Sequence, residues 1–303
     1  MSITTRQNLN MNIKLLAAQR RLYAKAKIVL GLHMILSVPI AILSAILVII
    51  EPEFKGYVVI WGATVVLFDL FLFTPFVNKT RENAAKIQEL FDTKVLDLPW
   101  NDNIADKKPE LELICEESSK YKINPKRPLE DWYPLLIDGI PEAYGTIIAQ
   151  RTNIWWDSHI RRKYAFVLVM FVIALLCLVL VYGIYQKQDV FQFFVFVLIP
   201  LVPTFVFCYR QITEHYKAAA LLDKLKDKVN KIWSDAISSV NRKSNDKKIK
   251  RQCRQLQDLI FEHRKKNPPV FDFIFTMLRA GQEDVMNQTA EELVKLYNDA
   301  KNK

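Results

Sequence analysis

The chain has 303 residues, of which 51% are hydrophobic, and its formal net charge at pH 7 is +10. Its seven glycines form no Gly-rich phosphate loop and no G-x-G-x-x-G fingerprint, which disfavours the common nucleotide-dependent enzymes. The four cysteines show no redox or metal-ligand spacing, and no two of the four histidines lie four residues apart. We therefore expect a protein that is not an enzyme and that carries no metal or cofactor.

The apolar residues fall into four runs, each with about the 20 residues needed to cross about 30 Å of hydrocarbon. None of the runs has the polar face that a surface helix of a soluble domain shows. The predicted spans are Ile28 to Ile50, Tyr57 to Val77, Tyr164 to Tyr185 and Phe191 to Tyr209. We predict an all-α membrane protein with four transmembrane helices in two hairpins, 28–77 and 164–209. The first run begins too late and is too long for a cleavable signal peptide.

The basic residues predict the orientation of these spans. All but Lys55 and Lys187 of the 42 Lys and Arg residues lie outside the two predicted hairpins. By the positive-inside rule, residues 1–27, the central segment 78–163 and the tail 210–303 are cytoplasmic, with both termini inside. The central segment and the tail together are expected to form one helical cytoplasmic domain. Basic charge beside a bilayer attracts anionic lipid, so lipid is favoured over nucleic acid as the partner of the tail.

Residues 1–27, which precede the first hairpin, are expected to form a short amphipathic lead-in.

Pro39 and Asp69 are unusual residues within the first hairpin. Pro39 is expected to kink the first span. Asp69 is the only carboxylate inside the four runs, where a charge costs about 2.5–3.5 kcal/mol on insertion scales. It should therefore face protein or water. Two interpretations stay open, a pore-lining or proton-binding group and a hydrogen-bonded carboxyl within the bundle.

The cytoplasmic segments read as helices separated by proline-rich or polar breaks. In the central segment, helices are predicted from Asn78 to about Asp97 and from about Pro109 to Lys122, followed by irregular chain over 123–140. A helix that begins at Pro141 is expected to run unbroken to Tyr185. The helices predicted in the tail are Tyr209 to about Val240, Ile249 to Lys266, Val270 to Ala280 and Asp284 to Asn298.

The sequence contains more residues suited to ligand binding than residues suited to catalysis. A ligand with phosphates and bases needs guanidinium groups for bidentate contacts and aromatic faces for stacking. Residues of these types that unbroken helices can direct toward a common groove are Tyr133, Arg151, Trp155, Trp156, Arg161, Gln257, His263 and Arg264. The alternative is that Trp155 and Trp156 belong to an interfacial aromatic belt while Arg151 pairs with Glu142 or Asp157.

Several segments carry a resemblance to a known family. They are Phe91–Asn101 (FDTKVLDLPWN), Asp131–Pro134 (DWYP), Gln150–Asp157 (QRTNIWWD), Ile160–Tyr164 (IRRKY), Leu256–Arg264 (LQDLIFEHR) and Asn267–Asp272 (NPPVFD). In these segments, and over nearly its whole length, the chain resembles the SMODS-associating four-transmembrane effector family. Members of that family occur beside cyclic-oligonucleotide synthases in bacterial anti-phage signalling. Ala149 departs from the family pattern, in which a cysteine precedes the Gln-Arg pair, and this argues against a required thiol there.

The resemblance implies a bacterial inner-membrane effector that is activated by a cyclic nucleotide from its partner synthase. Formation of a pore, or another disruption of the membrane, would then kill or arrest the infected cell. Four helices alone pack too closely for a wide channel, so a pore implies a homo-oligomer. The resemblance assigns no binding residues. Two rival functions stay open, a constitutive channel or transporter that uses Asp69 and a membrane-tethered protein that binds nucleic acid through its basic tail.

Overall fold

The computed structural model describes residues 1–123, 128–155, 157–187, 189–242, 245–271 and 282–302. This described part consists of helices and their connections and contains no strand, which confirms the predicted all-α class. The helices of the first half are α1 (Ile3–Gln7), α2 (Asn10–Ser37), α3 (Pro39–Ile50), α4 (Lys55–Phe68), α5 (Thr74–Val95), α6 (Asp102–Ala105) and α7 (Leu111–Ser119). Those of the second half are α8 (Glu142–Trp155), α9 (Asp157–Tyr185), α10 (Val190–Phe193), α11 (Ile199–Ile237), α12 (Asn245–Lys266) and α13 (Gln282–Lys301).

Within the described residues, three helical stretches are long and apolar enough to cross a membrane: Asn10–Ile50, Pro52–Val95 and Ile160–Tyr185. Large apolar side chains cover their outer surface, and Ile50, Phe71 and Ile184 are each 67% exposed or more. Helices present such an apolar exterior to lipid, whereas a soluble domain buries it. The fourth apolar run, Phe191 to Tyr209, is helical and also outward-facing. Its role as a fourth span, and the two-hairpin arrangement, stay predictions.

The helices of the apolar runs extend beyond these runs into the rest of the fold. Residues 10–27 belong to α2, which continues into the first apolar run and ends at Ser37. Pro39 begins α3 because proline cannot donate the amide hydrogen bond that would continue α2, so the predicted interruption is confirmed. Similarly, α11 begins inside the fourth apolar run at Ile199, extends over 39 residues to Ile237 and contains Pro203 without a break.

Two predicted boundaries differ in the structure, and one further prediction lies outside the described residues. The polar break predicted at Asn241 to Lys248 lies earlier in the chain, because α11 ends at Ile237 and α12 begins at Asn245. The prediction of a helix beginning at Val270 is wrong at its start, since Val270 and Phe271 are not helical, and residues 272–280 lie outside the described part. The continuity of the helix predicted from Pro141 to Tyr185 also lies outside it, because α8 and α9 flank Trp156, which is not described.

The central segment and the tail share one hydrophobic core. Helix α2 packs along α5 and α7, α11 packs along α8 and α9, and α12 closes against α5, α8 and α11. The largest fully buried side chains of this core are Tyr133, Tyr144, Phe91 and Leu16. Two smaller apolar clusters lie nearer the membrane, one around Phe207 and one around Val197. Packing therefore couples the core shared by the central segment and the tail directly to the helices of the apolar runs.

Candidate functional site

A buried polar network joins the central segment to the tail. Asp92 of α5 is fully buried and forms a salt bridge with Arg264 of α12. Its carboxylate also accepts hydrogen bonds from Tyr133 Oη at 2.6 Å and from Gln257 Nε2 at 3.0 Å. Gln257 Nε2 lies 2.7 Å from Glu89 Oε2, one turn earlier on α5, and donates to it as well. Three predicted binding residues thus meet at two buried carboxylates that sequence reasoning did not single out.

Helix α8 adds two amides to this network. Gln150 Nε2 donates to Gln257 Oε1 at 3.0 Å, and Asn153 Nδ2 donates to Tyr133 Oη at 3.0 Å. Gln150 Nε2 also lies 2.8 Å from the carbonyl oxygen of Cys253 on α12 and donates to it. Because α5, α8, α12 and the loop of Tyr133 all contribute, the network acts as a joint between chain segments far apart in sequence.

Charge in this network is compensated inside the protein. Burial alone would lower the pKa of Arg264, but the adjacent Asp92 carboxylate outweighs it and raises that pKa. Burial raises the pKa of the Glu89 carboxyl, and Arg254, which donates to Glu89 Oε1 at 2.7 Å, opposes the shift. Burial, reinforced by Asp92, raises the pKa of Tyr133 well above its ordinary value. An incoming phosphate would have to displace a buried carboxylate to reach either arginine.

The segments that carry the family resemblance meet at this network. Its residues come from 91–101, 131–134, 150–157 and 256–264, apart from Glu89 and Arg254 just outside. The resemblance could therefore have pointed to Asp92 and Gln150 without any knowledge of the fold. Residue type alone could not have pointed to Asp92, because a carboxylate was not among the groups sought for a phosphate ligand.

Arg151 occupies a different place, between α8 and α11. Its Nε donates to Asn230 Oδ1 at 3.1 Å, and burial lowers its pKa. Glu142, one of its two expected partners, instead pairs with Arg6 of α1. The side chain of the other, Asp157, lies outside the described residues, as do the side chain of Trp155 and the whole of Trp156.

Arg161 lies near the beginning of α9 and is buried. Its Nη1 donates to the carbonyl oxygen of Pro268 at 2.9 Å and lies 3.4 Å from His215 Nδ1 of α11. Arg81 of α5 is arranged in parallel, because its Nε donates to the carbonyl oxygen of Lys265 at 2.9 Å. The two arginines hold the end of α12 and the chain that follows it. His263, one turn before Asn267, is likewise buried on α12.

The predicted binding residues whose side chains are described therefore do not all meet in one place. Tyr133, Gln257 and Arg264 are joined in the network, while Arg151 faces α11 and Arg161 faces the end of α12. These residues are separated because side chains at different positions along a helix contact different neighbouring elements. Among the described residues, no group of three or more His, Cys, Asp or Glu side chains is arranged to hold a metal ion.

Comparison with known proteins adds a family to this geometry. Residues 1–293 match the SMODS-associating 4TM effector domain. The chain belongs to this family. A probable CBASS effector molecule of Bacillus cereus (strain VD146) is 24% identical over 305 residues, which cover 97% of this chain and 98% of the relative. No solved structure matches the chain. Family and relative indicate a CBASS-associated effector, and the family is not a known enzyme family.

In this effector family member, Asp69 is held by an arginine. Asp69 lies in a π-helical turn, Asp69–Phe73, and is only 4% exposed. Arg210 of α11 donates from Nη1 to Asp69 Oδ2 at 2.6 Å and from Nη2 to Oδ1 at 2.9 Å. Thr74 Oγ1 donates to Oδ1 at 2.8 Å, and His33 Nδ1 lies 3.4 Å from the same oxygen. Of the two open interpretations, a hydrogen-bonded carboxyl inside the bundle describes these contacts.

Proposed function

We propose that this protein is a multi-pass effector of the bacterial inner membrane that acts in anti-phage defence. A cyclic oligonucleotide, made by a partner synthase, binds the cytoplasmic domain, and the protein then forms a pore in the membrane or otherwise disrupts it. Both termini and the cytoplasmic domain face the inside of the cell in this proposal. The supporting observation is structural continuity, because α2, α5 and α11 each contribute both to the apolar exterior and to the main hydrophobic core.

The ligand contact that we favour is Arg151. In the network, Arg264 and Arg254 are already neutralised by buried carboxylates, and separating such pairs is costly. Arg151 is half-buried between α8 and α11, where its Nε donates to Asn230 Oδ1 at 3.1 Å. Its guanidinium can form charge-assisted, bidentate hydrogen bonds with a phosphate that enters between these two helices.

The remaining predicted residues have two roles in this proposal. Trp155 and Trp156 follow Arg151 closely in the sequence, and their ring systems are of the type on which bases stack. Tyr133, Gln257 and Arg264 hold α12 against α5 and α8, so that a shift of α8 is passed to α12.

Ligand binding between α8 and α11 changes the relation of the two helices that lead into the second apolar pair. A ligand shifts a conformational equilibrium only by its difference in affinity for the two states, so we infer that the open state brings Arg151 and Asn230 into better phosphate geometry. Several copies of the chain then surround the pore. A constitutive channel that uses Asp69 is less well supported, because Arg210 occupies that carboxylate.

Thermal-shift measurements on the detergent-purified protein test the proposal. A panel of cyclic di- and trinucleotides is titrated, and a specific ligand at 100 times its Kd stabilises the native state by about 2.7 kcal/mol. Arg151→Ala should abolish the shift, whereas Arg251→Ala, which removes the same group from an exposed position of α12, should keep it. Retention of the full shift in Arg151→Ala would refute this contact, and a panel without any shift would refute direct nucleotide binding.

A further inference from the structure

We propose that Asp69 and Arg210, with His33, form a latch that holds the membrane region closed at rest, and that Glu214 receives Arg210 when the latch opens. This inference rests on the proposed function, because a latch has a role only in a membrane region that opens. It assigns regulation to residues that neither the family description nor the relative's name mentions.

The latch ties the first two predicted spans to α11 at a point directly after the fourth apolar run. Arg210 of α11 makes its two-point salt bridge with Asp69 of the π-helical turn. His33 of α2 lies 3.3 Å from Arg210 Nη2 and 3.4 Å from Asp69 Oδ1. Its ring stacks on Phe73 at 5.3 Å between centroids and packs edge-on against Phe207 of α11 at 5.0 Å. The polar contacts are thus enclosed by rings from the same three elements.

Burial makes this pairing a switch between two states. Two opposite charges in an apolar bundle attract strongly, but each one alone is costly there. Separation of Asp69 from Arg210 is therefore favourable only if water or another charge reaches both groups. The closed bundle and the opened bundle are then distinct states rather than a continuous range.

The backbone next to Asp69 is suited to such a movement. The turn Asp69–Phe73 is π-helical, a form that interrupts the regular α-helical ladder and often marks functional sites. Pro75 follows in the first turn of α5 and has no amide hydrogen to donate to that ladder. Consequently α4 and α5 are two α-helical segments that join at the latch, and one can tilt relative to the other at a low cost in free energy.

A cavity connects the latch to the end of α12. His33, Thr74 and Arg210 form one wall, and Pro268 and Pro269 form another. Pro268 belongs to the segment that Arg161 holds through its carbonyl oxygen, directly after the helix that carries Gln257 and Arg264. A displacement of α12 therefore moves the wall of this cavity and admits water to Arg210.

Glu214 supplies an alternative partner for Arg210. It lies one turn further along α11 and lines the same cavity. Side chains at i and i+4 on a helix are neighbours, so Arg210 can turn from Asp69 to Glu214 without any movement of α11. Two carboxylates thus compete for one arginine, one inside the bundle and one facing the cytoplasmic cavity.

Dye release from liposomes that contain the purified full-length protein tests the latch. Asp69→Asn and Arg210→Gln should raise the release rate without nucleotide by about tenfold or more, because each leaves one latch charge uncompensated. The exchanged pair, Asp69→Arg with Arg210→Asp, should return the rate toward that of the parent. The matched control is Asp223→Asn, which breaks the exposed Arg162–Asp223 pair between α9 and α11 and should leave the rate unchanged.

Two further variants separate a latch from a merely structural contact. Glu214→Gln should shift nucleotide-dependent release to higher nucleotide concentration, because the open state loses its partner for Arg210. Arg210→Lys keeps the charge but loses the two-point geometry, so it should leak at a rate between those of the parent and Arg210→Gln. This milder change keeps the test decisive if Arg210→Gln fails to fold.

Failure of the latch and failure of the proposed function have different signatures. If no single variant releases dye without nucleotide, while the parent still releases dye with nucleotide, the latch alone is overturned. A leak that the exchanged pair does not reduce would also overturn it, because disordered protein leaks regardless of charge placement. A parent that no nucleotide opens contradicts the proposed function, and nucleotide-independent release by Asp69→Asn would support the latch even then.

Discussion

Replacement of Asp92 by asparagine gives the sharpest test of the buried network. The substitution keeps the shape of the side chain but removes the charge that compensates Arg264, which is buried beside it. Removal of one partner of a buried ion pair typically costs about 3–5 kcal/mol. Because Tyr133 can still donate to the remaining amide oxygen, we expect the lower end, about 3 kcal/mol.

The assay is thermal unfolding of the detergent-purified protein, followed by tryptophan fluorescence. For a domain of 150–250 residues, 1 kcal/mol shifts the Tm by about 2–4 °C, so Asp92→Asn should lower it by about 6–12 °C. The matched control is Asp223→Asn, whose exposed pair with Arg162 is worth about 0–1 kcal/mol. The double variant Asp92→Asn with Arg264→Gln should be more stable than the sum of the two single losses predicts.

A Tm for Asp92→Asn within about 2 °C of that of Asp223→Asn would show that the network does not hold the two segments together. Additive losses in the double variant would show that Asp92 and Arg264 do not act as a pair.

Two other predictions concern packing and orientation. A Cβ atom on Gly62 of α4 would lie 3.5 Å from Pro203 Cγ. Gly62→Ala should therefore be tolerated, whereas Gly62→Leu should overpack α4 against α11 and lower stability by about 1–3 kcal/mol. Equal Tm values for the two variants would contradict this close approach. Cys115 is exposed on α7, so a membrane-impermeant maleimide should label it in permeabilised cells and not in intact spheroplasts, and labelling of intact spheroplasts would contradict a cytoplasmic central segment. Cys253 should stay unlabelled in the folded protein, since burial raises the pKa of its thiol to about 12.

The sequence predicts best those features that depend on local composition. The apolar runs are helical because a bilayer-length stretch without polar groups has few alternatives, and Pro39 interrupts the first of them by its own chemistry. Residues 128–134 around Tyr133 are irregular for the same local reason, the concentration of prolines, whereas Leu135–Gly139, which was predicted to be irregular, forms a 3₁₀ helix.

The partners of the charged residues could not be predicted in this way. Asp69 and Arg210 are separated by 141 residues, and Asp92 and Arg264 by 172. Only the packing of α11 and α12 onto the first half of the chain brings these groups together. Arg161 illustrates the same limit, because its residue type suits a phosphate while its position directs it to the carbonyl oxygen of Pro268. Residue type predicts which groups a side chain can bind, and tertiary packing decides which of them it contacts.

Nucleotide-dependent permeability of a pure protein–lipid system tests the central claim most directly. Liposomes loaded with a fluorescent dye and containing the parent protein alone are titrated with each cyclic oligonucleotide. We predict saturable release with one of them, loss of that release in Arg151→Ala, and its retention in Arg251→Ala. Equal release in the presence and absence of every nucleotide would contradict the account.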